Sequence, residues 1–357
     1  MAMEGLRSSM NFDELMLAEK IQHLNYVGKR ALKLWGYPND TRMDLLNITE
    51  NATYLLSHPD WDTHKVMRVH RIPYAEKDSI RSEIAWLLAL NCDTGIDVPK
   101  PLRGSNGDYV QTVISPEFNE HRHVVCFEYE AGAAPIENHD LSIYHKLGEI
   151  AAQIHLHSKE WVLPEYYQRI AWDWDGTFGE EGNNFYGVSY KDSDVLDEGD
   201  LSILERCVRV IKNRLDRYGK SPDRFGLIHS DLRTANLLVD GDKIKVLDFD
   251  DCGMGWFMYD LASIFGFEED RPDLDQVLAA VIEGYEQHIA LSPEDKQEIR
   301  SFIMLRRIGL FESVIHHIGQ TVAGPGENES LMNEEFFAYY AKETVRLAQI
   351  YMNQYSI

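Results

Sequence analysis

His229-Ser230-Asp231-Leu232-Arg233-Thr234-Ala235-Asn236 runs directly into Leu237-Leu238-Val239, then into Asp240-Gly241, and the chain emerges as Ile244-Lys245-Val246-Leu247-Asp248. Two apolar runs about an Asp-Gly pair are a strong local signal for a tight β-hairpin. Antiparallel pairing about that turn folds Asp248 back opposite Ala235 or Asn236, with the register set only to within one residue. Asp231, Asn236 and Asp248 are therefore expected to converge on one spot. Phosphoryl transfer uses such a set, one carboxylate to orient a hydroxyl and an Asn and an Asp to hold a divalent metal on a nucleotide.

The residue types suit that chemistry. Mg²⁺ takes oxygen ligands in near-octahedral geometry, usually one or two carboxylates with phosphates and waters. Asn236 offers a neutral oxygen and Asp248 a charged one, so the metal can still offset phosphate charge. Asp231 can take the proton of an attacking alcohol or aim it. Asp250 and Asp251 follow at once, and Asp250 is a further candidate ligand. Asp and Asn around a hairpin are more often turn residues. What raises this stretch above that background is its extension on both sides, with the apolar lead-in Phe225 to Ile228 ahead of it and Asp248-Phe249-Asp250 behind.

The stretch from His229 to Asn236, followed by Val246-Leu247-Asp248-Phe249-Asp250-Asp251 and by Tyr259-Asp260-Leu261-Ala262, resembles the aminoglycoside phosphotransferase and type II homoserine kinase family. That family also includes choline-kinase relatives and bacterial stress-response Ser/Thr kinases. The resemblance runs from about residue 45 through the Asp260 segment. It implies an α+β, protein-kinase-like two-lobed fold with an antiparallel-sheet N-lobe over residues 1–126 and a mainly helical C-lobe over 127–357. It also implies that Asp260 braces the catalytic loop by hydrogen bonds, with His229 in support.

In the first lobe, His64 to Ile72 alternates like a strand, with Val66, Arg68 and His70 on one face and Lys65, Met67 and Val69 on the other. A helix capped at Asp78 or Ser79 follows, and its apolar stripe of Ile80, Ile84, Leu87 and Leu88 contains Glu83. A carboxylate aimed at a core needs a partner. Arg68 is the expected one, with Lys65 the fallback. In kinases the equivalent basic residue contacts nucleotide phosphates. The resembling family usually has Lys here; Arg keeps the charge and adds a planar fork.

No G-x-G-x-x-G or Walker-type loop precedes the strand. The loop over the phosphates is expected near Glu50-Asn51-Ala52-Thr53-Tyr54, and Val124 to Gly132 reads as the strand that becomes the adenine-binding hinge. Nucleotide contacts are thus expected from Asn51, Val66, Arg68 (with Glu83 behind it), Phe127, Glu128 and Tyr129.

The second lobe opens with an amphipathic helix from about Leu141 to His157, whose two terminal histidines face apart and suit helix-end packing better than a metal. The stretch 171–200 carries Asp173, Asp175, Glu180, Glu181 and further acids interleaved with Trp172, Trp174, Phe178, Phe185 and Tyr186. Aromatic faces beside carboxylates suit a cation. Asp173, Trp174 and Asp175 are accordingly the substrate-side expectation, against a solvated acidic loop. The last third, near 274–289, 293–317 and 333–355, reads as amphipathic helices with Gly-Pro-Gly at 324–326 in a loop.

Composition narrows the classes. A length of 357 residues with 44% hydrophobic and 26% charged content fits a globular chain of two lobes. Four cysteines lack C-x-x-C spacing, so neither a disulfide framework nor a zinc site is expected. No apolar run is long enough to span a membrane and no secretory signal is legible, which makes the cytoplasm the expected location. A net charge of −24 argues against nucleic-acid binding. It would also steer a cationic substrate inward, although acidity alone keeps proteins soluble.

The expected reaction is transfer of the γ-phosphoryl of ATP, or of GTP, with Mg²⁺ or Mn²⁺, to a hydroxyl of a small molecule, with an amino alcohol or other cationic metabolite as one acceptor class. The alternatives are a Ser/Thr protein kinase of the stress-response type and a catalytically silent nucleotide-binding protein.

Overall fold

The computed structural model describes residues 12, 15–48, 51–72, 76–116, 118, 120–135, 140–179, 184–318 and 333–355. They fall into two compact units. The first comprises the described parts of Met1–Ile84 and Pro99–Tyr129; the second comprises Ala85–Val98 and the described parts of Glu130–Gln320 and Leu331–Ile357. The contiguous stretch of the first unit that begins at Pro99 ends at Tyr129. Residues 85–98 join the second because Trp86 packs edge-on against Phe249 and the Val246 N–H donates to Asp97 O at 3.0 Å.

The first unit is a sheet with one helix laid across it. Helix α1 (Leu17–Leu32) precedes strands β1 (Arg42–Ile48), β2 (Ala52–Ser57) and β3 (Lys65–Val69); helix α2 (Lys77–Asp93) leads to β4 (Pro101–Leu102), β5 (Gln111–Ser115) and β6 (Glu120–Glu128). The order is β1-β2-β3-β6-β4, with β5 also on β6, and every pairing is antiparallel. Strand alternation decides the burial. Ala52, Tyr54 and Leu56 from β2, Met67 and Val69 from β3, and Val124 and Cys126 from β6 meet Leu24, Val27 and Ala31 of α1 in one core. The opposite face of β3 carries Arg68.

The second unit is mainly helical. It holds α3 (Leu141–Glu160), the short β7 (Ala171–Trp172) and α4 (Trp174–Phe178), then α5 (Glu198–Tyr218) and β8 (Phe225–Ile228). The hairpin β9 (Leu237–Asp240) and β10 (Lys243–Val246) follows, then β11 (Gly253–Trp256), α6 (Phe257–Ser263), α7 (Leu274–Tyr285), α8 (Pro293–His317) and α9 (Glu334–Tyr355). Strand β11 pairs parallel with β7 and antiparallel with β8. Helix α8 is buried on nearly every side from Ile299 to Val314. No helix among the described residues is long and apolar enough to cross a membrane.

The hairpin carries one correction. Lys243 pairs with Asp240, so the two-residue turn is Gly241-Asp242 rather than Asp240-Gly241, and Gly241 adopts the left-handed φ of 62°. Glycine leads because a tight hairpin turn needs positive φ at its first central residue. This register resolves the earlier choice. The Leu247 N–H donates to Asn236 O at 2.8 Å, and Asp248 comes next, level with Ala235.

Candidate active site

The loop after β8 is held from behind by Asp260, a fully buried residue of α6. Its Oδ1 accepts the Ser230 N–H at 2.7 Å and its Oδ2 the His229 N–H at 3.2 Å. His155 of α3 completes the anchor, donating from Nε2 to Asp260 Oδ2 at 2.9 Å while Nδ1 accepts the Tyr285 hydroxyl at 2.9 Å. Burial holds the His155 pKa below its ordinary value, and the Asp260 charge opposes that shift. A neutral ring making both bonds is the consistent state. His229 bonds Leu247 O through Nε2 at 2.9 Å and accepts the Asp231 N–H at Nδ1, 3.2 Å away. The loop is thereby fastened to the hairpin as well as to the core.

Asp231 is 9% exposed, and among the described residues its carboxylate accepts three hydrogen bonds. Arg306 Nη2 donates to Oδ1 at 2.8 Å, and Arg233 Nε and Asn236 Nδ2 donate to Oδ2 at 3.1 and 2.7 Å. Burial alone would push this carboxyl up, but the Arg233 and Arg306 charges and their hydrogen bonds more than reverse it and hold it at about 2. Asp231 is ionised at any working pH, a weak base well suited to aiming a hydroxyl. Asn236 Nδ2 also donates to Asp231 O at 2.9 Å, so its carboxamide oxygen is the atom turned away from the loop.

Asp248 is exposed and left-handed, at φ 60° and ψ 63°. Asp and Asn tolerate that region better than most residues. Phe249 then turns inward against His229, with ring centroids 4.4 Å apart. Arg169 clamps the following backbone, with Nε on Cys252 O at 2.6 Å and Nη2 on Asp250 O. Burial and the charges of Asp231, Asp250 and Asp248 push Asp251 up to about 7, so the four carboxylates share one electrostatic neighbourhood.

Among the described residues no three His, Cys, Asp or Glu side chains are arranged to enclose a metal ion. A nucleotide-borne divalent ion does not need such a cage, because phosphates and waters fill most of its shell. The donors present, a carboxamide oxygen and carboxylates in an excess of negative charge, fit a hard divalent cation.

In the first unit Arg68 Nη2 donates to both Glu83 oxygens, at 2.6 and 2.7 Å. Glu83 is wholly buried, and the Arg68 guanidinium also lies over the Phe127 ring at 5.3 Å. Lys65, the fallback, points the other way, over Trp61 at 4.8 Å. Val66 is half-buried on the Arg68 face. The Glu128 N–H is engaged by Lys100 O at 2.9 Å, and Tyr129 is exposed with its ring edge-on to His64. Asn51 Oδ1 accepts the Arg71 N–H at 3.1 Å, and Glu50 lies outside the described residues.

The substrate-side candidates have these local partners. Asp173 caps α4, accepting the Gly176 N–H at 3.0 Å, and its other oxygen pairs with Lys220 at 2.7 Å. Trp174 faces Lys212 and Phe178, while Asp175 is exposed. Glu180 and Glu181 lie outside the described residues. Trp172 is held against the Asp248–Asp251 segment, its Nε1 donating to the Asp251 backbone O at 2.7 Å and its ring stacked on Tyr259. Tyr186 belongs to the same wall: its phenol is pushed up by burial, against the pull of Arg306, and raised further by Asp251. Sequence reasoning missed Arg306, 75 positions beyond Asp231. The available signal was Arg306-Arg307 inside the apolar run Phe302 to Val314, since charges in a buried helix demand partners.

Known proteins resemble the chain in sequence and fold. The chain is 33% identical to a microcompartment-associated aminopropanol kinase of known structure, with a TM-score of 0.81 over 92% of this chain and 98% of that one. It is 24% identical to the amicoumacin kinase of Bacillus subtilis (strain 168) over 325 residues, 88% of this chain and 91% of that protein. The solved amicoumacin kinase hAmiN, in complex with AMP-PNP, Ca²⁺ and Ami, is 20% identical and superposes with a TM-score of 0.72 over 93% and 96% of the two chains, a likeness of fold. The APH family profile, phosphotransferase enzymes, matches residues 46–300. With most of its length inside that profile, the chain belongs to the phosphotransferase enzyme family.

Proposed function

We propose that this enzyme transfers the γ-phosphoryl of ATP to the hydroxyl of a small amino alcohol of the aminopropanol type. The observation that carries the transfer chemistry is Asp231, ionised, bonded to Asn236 at 2.7 Å and fixed on a loop anchored by Asp260. For the acceptor, the support is the 33% identity to an aminopropanol kinase together with the Asp251 charge acting on Tyr186 and Tyr259, beside Trp172 bonded to the Asp251 backbone. An ammonium is stabilised by both kinds of group.

The roles follow from the chemistry of each side chain. Asp231 accepts a hydrogen bond from the acceptor hydroxyl and directs its oxygen at phosphorus; the new P–O bond forms as the bond to the β–γ bridging oxygen breaks, and the hydroxyl proton leaves along that hydrogen bond. A divalent cation, Mg²⁺ in this reading, would be held by Asn236 and Asp248, with Asp250 at hand, and would offset charge on the phosphate oxygens. Arg68, oriented by Glu83, contacts the phosphates of the nucleotide. Asn51, Val66, Phe127, Glu128 and Tyr129 form the nucleotide side, the last three through backbone groups. Positioning and electrostatics supply the rate, with no covalent enzyme intermediate.

The test is an acceptor screen with Mg-ATP over 1-amino-2-propanol, other amino alcohols, sugars and generic protein substrates. Phosphorylation of an amino alcohol that collapses in Asp231→Asn, and in Asp248→Ala at low Mg²⁺, supports the assignment. Labelling of proteins alone would replace it with the protein-kinase reading.

A further inference from the structure

We propose that Arg306 is a positioning residue for the transfer step, holding Asp231 Oδ1 in the orientation that receives the acceptor hydroxyl. The proposal rests on the phosphotransferase reading above. Asp231 Oδ2 is anchored from within its own loop by Arg233 and Asn236. Among the described residues, Oδ1 is anchored by Arg306 alone, through Nη2 at 2.8 Å. Without Arg306 the carboxylate is held at one oxygen instead of two, and Oδ1 loses the bond that fixes its direction. A hydroxyl aimed by a swinging oxygen loses the alignment on which in-line transfer depends.

Arg306 is itself held rigid. Its Nη1 donates to the Tyr259 hydroxyl at 3.0 Å, and its guanidinium lies 5.6 Å from the Tyr259 ring centroid and 5.9 Å from that of Trp172. Tyr259 immediately precedes Asp260, so the clamp and the loop anchor share one helical turn. The guanidinium therefore links the catalytic carboxylate to the aromatic wall.

The arginine is a poor choice for stability alone. It is 3% exposed, and among the described residues its Nε has no hydrogen-bond partner. Buried ion pairs are commonly replaced by apolar side chains at no loss of stability, and an unmet buried donor adds to the cost. Arg307, next in sequence, is the structural counterpart. It spends its donors on Glu269, Thr344 and Tyr340 O, at 2.8, 2.9 and 3.2 Å, away from Asp231.

The experiment compares wild type, Arg306→Met, Arg306→Gln, Arg306→Lys, Asp231→Asn and the double variant Asp231→Asn/Arg306→Met. Turnover of 1-amino-2-propanol with Mg-ATP is followed beside acceptor-free ATP hydrolysis and melting temperature. Arg306→Met should lower kcat about 100-fold, comparable to the loss of one oriented transition-state donor, with the KM for ATP within about 3-fold. Arg306→Gln tests the same loss in a polar side chain should the methionine fold poorly, and Arg306→Lys should recover part of the rate. Two groups acting as a unit are not additive, so the double variant should be no more than about 3-fold slower than Asp231→Asn. Folded Arg306 variants that keep wild-type kcat, or a double variant slowed by the product of the single losses, overturn the proposal. If wild type neither phosphorylates the amino alcohol nor hydrolyses ATP, the phosphotransferase reading falls and takes this one with it; loss of the Arg306 effect alone leaves that reading standing.

Discussion

Asp260 accepts the backbone N–H of Ser230 at 2.7 Å, and Ser230 sits at a φ of 72°, in the left-handed region that serine seldom occupies. The bond fixes a backbone turn that would otherwise relax, and it does so one residue before Asp231. Leaving a buried donor unmade costs ~1–3 kcal/mol, and Asp260 satisfies three of them, from Ser230, His229 and His155. Asp260→Ala should therefore melt many degrees below wild type. Asp260→Asn, isosteric but able to accept at only one atom, should fold with a lower melting temperature and lose more in kcat than in KM. Calorimetry and steady-state kinetics decide; an Asp260→Ala enzyme with wild-type stability would contradict the anchoring role.

Arg68 and Glu83 form a pair whose carboxylate is wholly buried. Removing one member of a buried ion pair typically costs ~3–5 kcal/mol, because the other charge stays behind. Arg68→Met should therefore be less stable than Arg68→Met/Glu83→Leu, in which both charges are gone. Both should raise the KM for ATP, whereas Arg68→Lys should restore binding in part. Chemical denaturation of the three variants checks the order, and a double variant less stable than the single one would refute it.

Glu312 supplies a pH dependence. Burial pushes its carboxyl up to about 8, although the Tyr190 N–H and Asn184 Nδ2 donate to it at 3.1 and 3.0 Å. Between the ordinary glutamate value near 4.3 and about 8, the folded chain binds this proton more tightly than the unfolded chain does. Its contribution to stability is thus complete below pH ~4.3 and is lost as pH rises through about 8. Melting temperature should fall over that interval for this reason, and Glu312→Gln should flatten the slope and exceed wild type at pH ~8.5. Identical slopes for the two proteins would assign the dependence elsewhere.

Helices α3 and α7 meet through glycines. A Cβ on Gly148 would lie 2.0 Å from Val281 O, and one on Gly284 would lie 1.8 Å from His145 O. Gly284→Ala forces the helices apart, and overpacking of this kind costs ~1–3 kcal/mol or more. The His155–Tyr285 bond crosses the same seam, so separation also loosens the Asp260 anchor. Reduced melting temperature together with reduced kcat is expected, and a drop in stability with unchanged kcat would show that the seam and the loop are uncoupled.

What was legible in the sequence is local. The hairpin, Asp248 beside Asn236, and the Arg68–Glu83 pair each follow from periodicity or from one buried carboxylate within 15 residues of its partner. The rest depends on tertiary packing across long separations. Arg306 reaches Asp231 from α8, and His155 reaches Asp260 across 105 positions. Nothing in residues 171–175 distinguishes Trp172 from Trp174. Strand β7 pairs Trp172 with Gly255, whereas Trp174 starts a helix and turns to Lys212. Asp173 reads equally as a cap or as a ligand in one dimension; only the folded chain shows its cap bond to Gly176 and its pairing with Lys220.

One part of the aromatic wall is moored apart from the phosphoryl-handling loop. Phe185 and Tyr186 lie in a segment tied through Asn184 and Tyr190 to Glu312, whereas His229 to Asn236 is tied to Asp260 and the hairpin. Under the proposed function, exchanges in the 184–190 stretch other than at Tyr186 redraw the acceptor side while the loop from His229 to Asn236 keeps its own anchors. A scaffold divided this way can acquire new clients by small steps, each of them still a working catalyst.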